Sequence, residues 1–163
     1  MANTILSVKT ADDEILQVSL AVVAQFKTLK EMIEDFGGVE KITVAIPVHN
    51  VNGPTFGAIV DLVLLLQQRN VKAFGVRDRL EPWMRDFIRA REAKKKTNIY
   101  AMIMALNYLD SGYVLSIAQE YVAEQMRGMT PTDLRAKFNI VNDFTPEEES
   151  EIRRENQWLN ERV

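Results

Sequence analysis

The amino-terminal segment alternates apolar and polar residues in two short runs. Within residues 4–20, Leu6 and Val8 alternate with polar neighbours, and Leu16 and Val18 repeat the pattern after an acidic turn. A period of two residues places the apolar side chains on one face of a strand. The segment therefore predicts a β-hairpin with one buried face.

A helical period follows the hairpin. Residues 21–36 carry apolar side chains three or four positions apart, which predicts one amphipathic helix with its stripe toward the core. Residues 41–46 are typical of a short strand that Pro47 ends, and Pro54 opens a helix to about residue 69. The apolar stripe of the first helix consists of Val22, Phe26, Leu29, Ile33 and Phe36.

The middle of the chain predicts a loop and a short helix. Residues 70–80 show no periodicity, and Pro82 then opens a helix that carries Trp83 and Phe87 at i and i+4. This spacing predicts a buried aromatic pair. Together with the hairpin, these elements indicate an α-rich fold of the α+β class.

Two further helices have little polar surface. The segment 98–109 is apolar on nearly all sides, which indicates either deep burial or a face shared between the core and a partner. Its methionines favour the shared face, because methionine adapts to varied surfaces. The next helix, at about residues 111–127, has one apolar side and ends at Gly128.

Two short helices with the same start signal close the chain. Thr130 and Thr145 are each followed by proline and then by an acid at the third helical position, a sequence that predicts a capping box. The last helix, at about residues 146–160, is polar apart from a few residues, so it needs a surface to lie on. Trp158 is the expected anchor, either on its own domain or on a partner.

Composition narrows the classes of partner. The 163 residues are 47% hydrophobic, enough for a substantial core, and 23 acids against 20 bases give a net charge of −3. This balance argues against nucleic acid and anionic membranes as partners. The basic cluster at residues 89–96 has no interleaved aromatics, so it is interpreted as a solvated linker.

The residues that usually carry chemistry are scarce. The chain has no cysteine and a single histidine, His49, and it lacks both a phosphate-binding glycine loop and a Gly-x-Ser-x-Gly elbow. Acids 147–149 fall in a first helical turn, where they stabilise the helix dipole. We therefore expect no enzyme activity, metal or cofactor. No signal peptide is recognised, and apolar runs such as residues 62–66 are too short to span a bilayer.

The carboxyl-terminal part contains four distinctive sequence blocks, Asn107-Tyr108-Leu109-Asp110, Gly128-Met129-Thr130-Pro131, the run from Phe138 to Thr145, and Glu155-Asn156-Gln157-Trp158. These blocks resemble the Skp family, the adaptors of SCF-type cullin–RING ubiquitin ligases. The resemblance implies a BTB/POZ domain, a small β-sheet flanked by helices, at residues 1–127, and a helical extension for dimerisation and F-box binding at residues 128–163. We expect a cytoplasmic and nuclear location.

The resemblance also implies two sets of binding residues. Within the second set, Leu115, Ile140 and Phe144 would line an apolar groove that Trp158 closes. The cullin-binding set is Asn107, Tyr108 and Val122. The F-box-binding set is Ile99, Tyr100, Ile103, Leu115, Phe138, Ile140, Asn142, Phe144 and Trp158.

Two functions remain open at this point. The first is an adaptor that bridges a cullin to F-box substrate receptors. The second is a self-associating structural or regulatory BTB-type protein outside the ligase, whose partner is a second copy of the chain. Departures from the family pattern at Asp13, at residues 62–64 and at Met84 allow this alternative.

Overall fold

The computed structural model describes residues 4–75, 78–94 and 97–157 of the chain. The chain divides into two compact units, Met1–Gln125 and Met126–Val163. The first unit contains a small sheet, a buried core and the helices around it. The second contains two short helices and the segment between them. The domain identities expected for these two parts stay predictions.

The chain opens with the predicted hairpin. Strands β1 (Ile5–Thr10) and β2 (Ile15–Ser19) are antiparallel, and Leu6 lies opposite Val18. Both of these side chains are buried, as the alternation requires. The turn places Asp13 in the left-handed region, at φ 63°, a conformation that aspartate tolerates better than most residues.

The third strand corrects a prediction. Strand β3 (Ile46–Val48) runs parallel to β1 at the sheet edge, in the order β2-β1-β3. The strand expected at residues 41–46 was therefore misplaced, and Pro47 lies inside β3 opposite Lys9 rather than ending it. Proline is accepted here because an edge strand in the described sheet has no ladder bond to lose on its outer side.

The stripe predicted to form one helix forms two. Helix α1 spans Leu20–Val23 and helix α2 spans Lys27–Asp35. The break falls at Phe26, whose backbone is extended, with φ −113° and ψ 107°, and whose ring is fully buried. Burial of a large ring thus outweighs continuation of the helix. Phe36, expected in the buried stripe, lies beyond the end of α2 and is exposed.

Helix α3 (Gly53–Gln68) confirms the helix expected after the third strand. Asn52 Oδ1 accepts a hydrogen bond from the Thr55 amide at 2.9 Å and so caps its start. Asp12 in the hairpin turn accepts from the Gly53 amide at 2.8 Å, which ties the turn to the helix. The largest fully buried side chains of the core are Phe26, Leu29, Ile46, Phe56, Ile59, Leu62, Leu66, Met84, Ile88, Met102, Leu106 and Leu109.

Helix α4 (Pro82–Ala93) is present as predicted, but it is rotated from the predicted orientation. Met84 and Ile88 are buried, one position after each aromatic residue, whereas Trp83 and Phe87 are only partly buried. The prediction of a buried aromatic pair was therefore wrong. A guanidinium covers each ring, at 4.6 Å over Trp83 and 4.9 Å over Phe87, and this contact stabilises the half-exposed rings.

Helices α5 (Ile99–Tyr108) and α6 (Gly112–Met126) confirm the two apolar helices. Arg85 on α4 makes a two-pronged ion pair with Glu124 on α6, at 2.6 and 2.8 Å. Further along the same two helices, the hydroxyl of buried Tyr121 donates to a Glu92 carboxylate oxygen at 3.0 Å. Burial of this phenol raises the pKa of Tyr121, and the adjacent carboxylate adds to the shift.

The second unit contains helices α7 (Pro131–Phe138) and α8 (Pro146–Glu155). Both predicted capping boxes are present, because Thr130 accepts from the Asp133 amide and Thr145 accepts from the Glu148 amide. None of the described residues from 126 to 157 is buried. This part of the chain therefore relies on local caps and ion pairs instead of a core of its own.

Candidate partner-binding surfaces

Helix α5 presents one face to the core and another to the outside. Asn98 Oδ1 accepts from the Ala101 amide at 2.8 Å and caps the helix start. The outer face, here called the α5 face, has a spacing of three and four residues. It consists of Tyr100, which is 48% exposed, half-buried Ile103, Met104, which is 69% exposed, and exposed Asn107.

The α5 face contains two residues predicted to bind an F-box protein and one predicted to bind a cullin. Tyr100 and Ile103 lie on it toward the helix start, and Asn107 lies on its last turn. Ile99, in contrast, is only 2% exposed and belongs to the core. Its side chain packs in the first turn of α5, and its contact with an F-box protein stays a prediction.

The remaining predicted residues of the first unit are half-buried. Tyr108 follows Asn107 at the end of α5, whereas Leu115 and Val122 lie on α6, two helical turns apart. All three pack against the hydrophobic core with part of their surface. Each therefore has a fixed position and some surface left for contact.

Met104 is absent from the predicted binding residues, although the methionines of this helix favoured a shared face. It is the most exposed large apolar side chain of α5 and lies between Tyr100 and Asn107 on the α5 face. An isolated exposed methionine is ordinary, but here it continues an apolar stripe that has a tyrosine and an isoleucine beside it. The pattern could not identify it, because a helix that is apolar on all sides gives no sign of which side faces outward.

The end of α5 is held by the start of α2. The hydroxyl of Thr28 donates to the Tyr108 carbonyl oxygen at 2.8 Å. The backbone amides of Lys27 and Thr28 donate to the carbonyl oxygens of Asp110 and Leu109, at 3.4 and 3.3 Å. Because the last carbonyls of a helix lack partners within it, these bonds satisfy groups that would otherwise need water.

In the second unit, the segment between the two helices carries exposed apolar residues. We call residues 139–145 the connector. Asn139 adopts the left-handed conformation at φ 53° and ends α7, and the Ile140 amide donates back to the Arg135 carbonyl oxygen at 2.9 Å. Beyond this reversal, Ile140 is 55% exposed, Val141 is exposed and Phe144 is 45% exposed.

Glu149 joins the connector to both flanking helices. Its carboxylate accepts from Arg135 at 3.1 Å, from the side-chain Nδ2 of Asn142 at 3.0 Å and from Arg153 at 3.5 Å. Arg135 also lies over the Phe144 ring, 5.7 Å from its centroid. Two predicted F-box-binding residues, Asn142 and Phe144, are thus held through one acid and one arginine.

A cleft lies within the second unit beside this network. Its lining includes Pro131 and Arg135 from α7, Phe144 from the connector, and Glu149 and Ile152 from α8. Its lining combines apolar side chains with charged ones, as partner-binding surfaces commonly do.

Phe138 is not among the residues that line this cleft. The half-buried ring of Phe138 is on the last turn of α7, with the Lys137 ammonium 6.0 Å from its centroid. The predicted anchor Trp158 lies outside the described residues.

Hydrogen bonds within the two capping boxes lower the pKa values of their acids, Asp133 and Glu148. The Thr130 hydroxyl, followed by the Thr130 amide, lowers the pKa of Asp133. The Thr145 amide, followed by its hydroxyl, lowers the pKa of Glu148. Both shifts favour the charged carboxylate at a helix start, which is a structural role.

Comparison with known proteins decides the family. Residues 4–61 match the model of the Skp1 family tetramerisation domain, and residues 113–159 match that of the Skp1 family dimerisation domain. SKP1-like protein 4 of Arabidopsis thaliana is 34% identical over 99% of this chain and 100% of its own length. The chain belongs to the Skp1 family.

Other Skp1-family relatives are similar over nearly the whole chain. SCF ubiquitin ligase complex protein SKP1a of Dictyostelium discoideum is 30% identical, with 98% of each chain covered. SKP1-like protein 1 of Oryza sativa subsp. japonica is 31% identical over 96% of this chain and 95% of its own length. The amino-terminal match confirms the predicted α+β fold of BTB/POZ type.

The described residues contain neither a metal-binding cluster nor a membrane-spanning helix. Within the described ranges, no three residues among His, Cys, Asp and Glu are grouped so that they could hold a metal ion. None of the described helices combines the length and the hydropathy needed to cross a membrane. The described surfaces that combine predicted binding residues with exposed apolar side chains include the α5 face and the connector.

Proposed function

We propose that this chain is the adaptor subunit of an SCF-type E3 ubiquitin ligase, bridging a cullin to F-box substrate receptors. The exposed apolar stripe of α5, which ends in the pair Asn107 and Tyr108, is the observation that carries the proposal. A family relative that bears the name SCF ubiquitin ligase complex protein supports it.

The proposed mechanism is positional. The adaptor holds a substrate receptor at a fixed distance from the catalytic arm of the cullin, which raises the effective concentration of substrate near the ubiquitin-loaded enzyme. No bond is made or broken on this chain. A chain without cysteine forms no thioester, so the transfer chemistry belongs to a partner.

The two partners are assigned to different residues. Asn107, Tyr108 and Val122 bind the cullin. The F-box protein is bound by Tyr100, Ile103 and Leu115 in the first unit and by residues of the second unit. Those second-unit residues are Phe138, Ile140, Asn142 and Phe144, with Trp158 as a further prediction from the sequence.

The exposed connector supports the F-box assignment. Ile140 and Phe144 keep about half of their surface in solvent, and Val141 keeps more. When a partner covers apolar groups, the free energy of the complex falls by about 25 cal/mol for each Å² of apolar surface removed from water. The polar groups around them, Arg135, Asn142 and Glu149, are already paired with one another, so a partner need not supply their hydrogen bonds.

Purification from the cells that make the chain tests the adaptor proposal. We expect the tagged chain to recover a cullin together with several F-box proteins, identified by mass spectrometry. The variant Asn107→Lys with Tyr108→Lys should retain the F-box proteins and lose the cullin. A control with the same added charge, Asn50→Lys with Gln68→Lys, alters exposed residues outside both surfaces and should retain both partners. Recovery of neither partner by the wild-type chain refutes the proposal.

A second function, a self-associating BTB-type scaffold, is favoured by one observation. The α5 face is apolar and exposed in the single chain, and a symmetric pair could cover it. The oligomeric state at low micromolar concentration, measured with and without an F-box peptide, separates the two functions. A dimer that persists when the peptide is present supports the scaffold. Location in the cytoplasm and nucleus stays a prediction.

A further inference from the structure

Helix α2 begins without a side-chain cap. Its N-cap residue is Phe26, which offers no side-chain acceptor to the first amides of the helix. The amides of Lys27 and Thr28 point instead at the carbonyl oxygens of Asp110 and Leu109. The start of one helix and the end of another therefore satisfy each other, and their opposite partial charges attract.

Side chains reinforce this junction between α2 and α5. The Thr28 hydroxyl donates to the Tyr108 carbonyl oxygen at 2.8 Å, the shortest of the three hydrogen bonds described here. The Lys27 ammonium lies 3.4 Å from the Asp110 carboxylate, but both groups are well exposed, so this pair contributes little. Thr28 is half-buried, so water competes less for its hydroxyl.

We propose that Thr28 is a positioning residue for the cullin contact. Its hydroxyl fixes the carbonyl of Tyr108 and with it the last turn of α5, from which Asn107 and Tyr108 project. The inference rests on the proposed function, because it assigns these two residues to the cullin.

The geometry explains why this anchor matters. After Tyr108 the chain leaves the helix, and Asp110 adopts the left-handed conformation at φ 48° before α6 begins. The last turn of a helix frays unless its carbonyls are bound. A threonine on another helix, 80 positions away in sequence, supplies that bond. Pre-ordering of a binding surface reduces the entropy lost when the partner binds.

Two substitutions at the same position test the inference. Thr28→Val keeps the shape and removes the hydroxyl, whereas Thr28→Ser keeps the hydroxyl and removes the methyl group. We expect Thr28→Val to raise the Kd for a purified cullin amino-terminal domain about three- to tenfold, and Thr28→Ser to stay within about twofold of wild type. The Kd for an F-box protein should not change in either variant.

Measurements on the free protein separate positioning from general damage. The NMR shift of the Tyr108 carbonyl carbon should move in Thr28→Val and return in Thr28→Ser. Amide exchange at Lys27 and Thr28 should quicken only in the valine variant. If Thr28→Val does not fold, Thr28→Ala removes the same hydroxyl without an added methyl group and replaces it in the comparison.

The outcomes distinguish this inference from the proposed function. A wild-type chain that binds no cullin would overturn the proposed function and, with it, the role given to Thr28. If wild type binds cullin and Thr28→Val binds equally well, only the inference about Thr28 is wrong. Equal loss of cullin and F-box binding, or a serine variant as weak as the valine variant, would also overturn it.

Discussion

Arg135 Nη1 lies 3.1 Å from Glu149 Oε1 and joins α7 to α8. Both side chains are about one-quarter exposed, so the pair is partly shielded from solvent. The same carboxylate oxygen accepts from Asn142 in the connector. A single acid therefore organises a unit whose described residues include no buried core.

We expect Glu149→Ala to weaken F-box binding by about three- to tenfold, because it frees Arg135 and Asn142 together. Glu147→Ala is the matched control, since Glu147 lies in the same helical turn and is exposed. It should bind F-box protein as wild type does. Titration calorimetry measures both variants, and equal affinities for the two would show that the network does not support the surface.

The capping boxes predict a loss of helix at low pH. The pKa values of Asp133 and Glu148 lie below their ordinary values of 3.8 and 4.5, because both carboxylates accept hydrogen bonds in the folded chain. Their stabilisation is thus complete above the unfolded pKa and is lost as pH falls through the lower, folded pKa. Circular dichroism between about pH 5 and pH 2 should show this loss.

The matched variant for the acid transition is Asp133→Asn combined with Glu148→Gln. It should have less helix at neutral pH and a smaller change on acidification, since the two titrating groups are gone. An unchanged acid transition in this variant would assign the loss of helix to other carboxylates.

Two substitutions of Asn139 should affect the stability of α7 differently. Asn139 ends α7 at φ 53°, where glycine is unstrained and a β-branched residue is not. Asn139→Val should lower the free energy of unfolding of α7 by about 1 kcal/mol, and Asn139→Gly should leave it equal or higher. Amide exchange of α7 measures the effect, and greater protection in the valine variant than in the glycine variant would contradict the prediction.

The cullin assignment predicts a selective loss. Asn107 is exposed and Tyr108 half-buried at the end of α5, so two lysines there should abolish cullin binding by placing charges in the interface. The F-box affinity should stay near that of the Asn50→Lys with Gln68→Lys control, whereas the melting temperature should be lower than that of the control, because Tyr108 packs partly against the core. Normal cullin affinity in the Asn107→Lys, Tyr108→Lys variant would refute the assignment.

Features set by local chemistry were predictable from the sequence. The hairpin follows from alternation, and the two capping boxes follow from threonine, proline and acid at fixed offsets. Each depends on residues only a few positions apart. A short stretch of sequence therefore contains all the residues that determine the hairpin or the capping box.

Features set by tertiary contact were not predictable in the same way. The break at Phe26 interrupts a continuous helical stripe, because the ring is taken into the core. The rotation of α4 buries Met84 and leaves Trp83 half-exposed under a guanidinium from α3's end. Side-chain size alone would predict burial of the larger Trp83 and exposure of Met84.

The same distinction between local and tertiary causes applies to the residues of the candidate surfaces. Resemblance to the family supplied Asn107 and Tyr108. The anchor at Thr28 depends on a hydrogen bond to Tyr108, 80 positions away, and no local sequence pattern predicts such a contact. The sequence did not show that Met104 is exposed and Ile99 is buried, because an all-apolar helix does not indicate which side packs inward.

Bridging by purified components tests the adaptor account most directly. An F-box protein is immobilised, and retention of a cullin amino-terminal domain is measured with and without the chain. The account predicts that cullin is retained only when the chain is present, and that the Asn107→Lys, Tyr108→Lys variant stays on the F-box protein without retaining cullin. Cullin retention that does not depend on the chain, or a chain that binds one partner only when the other is absent, would contradict it.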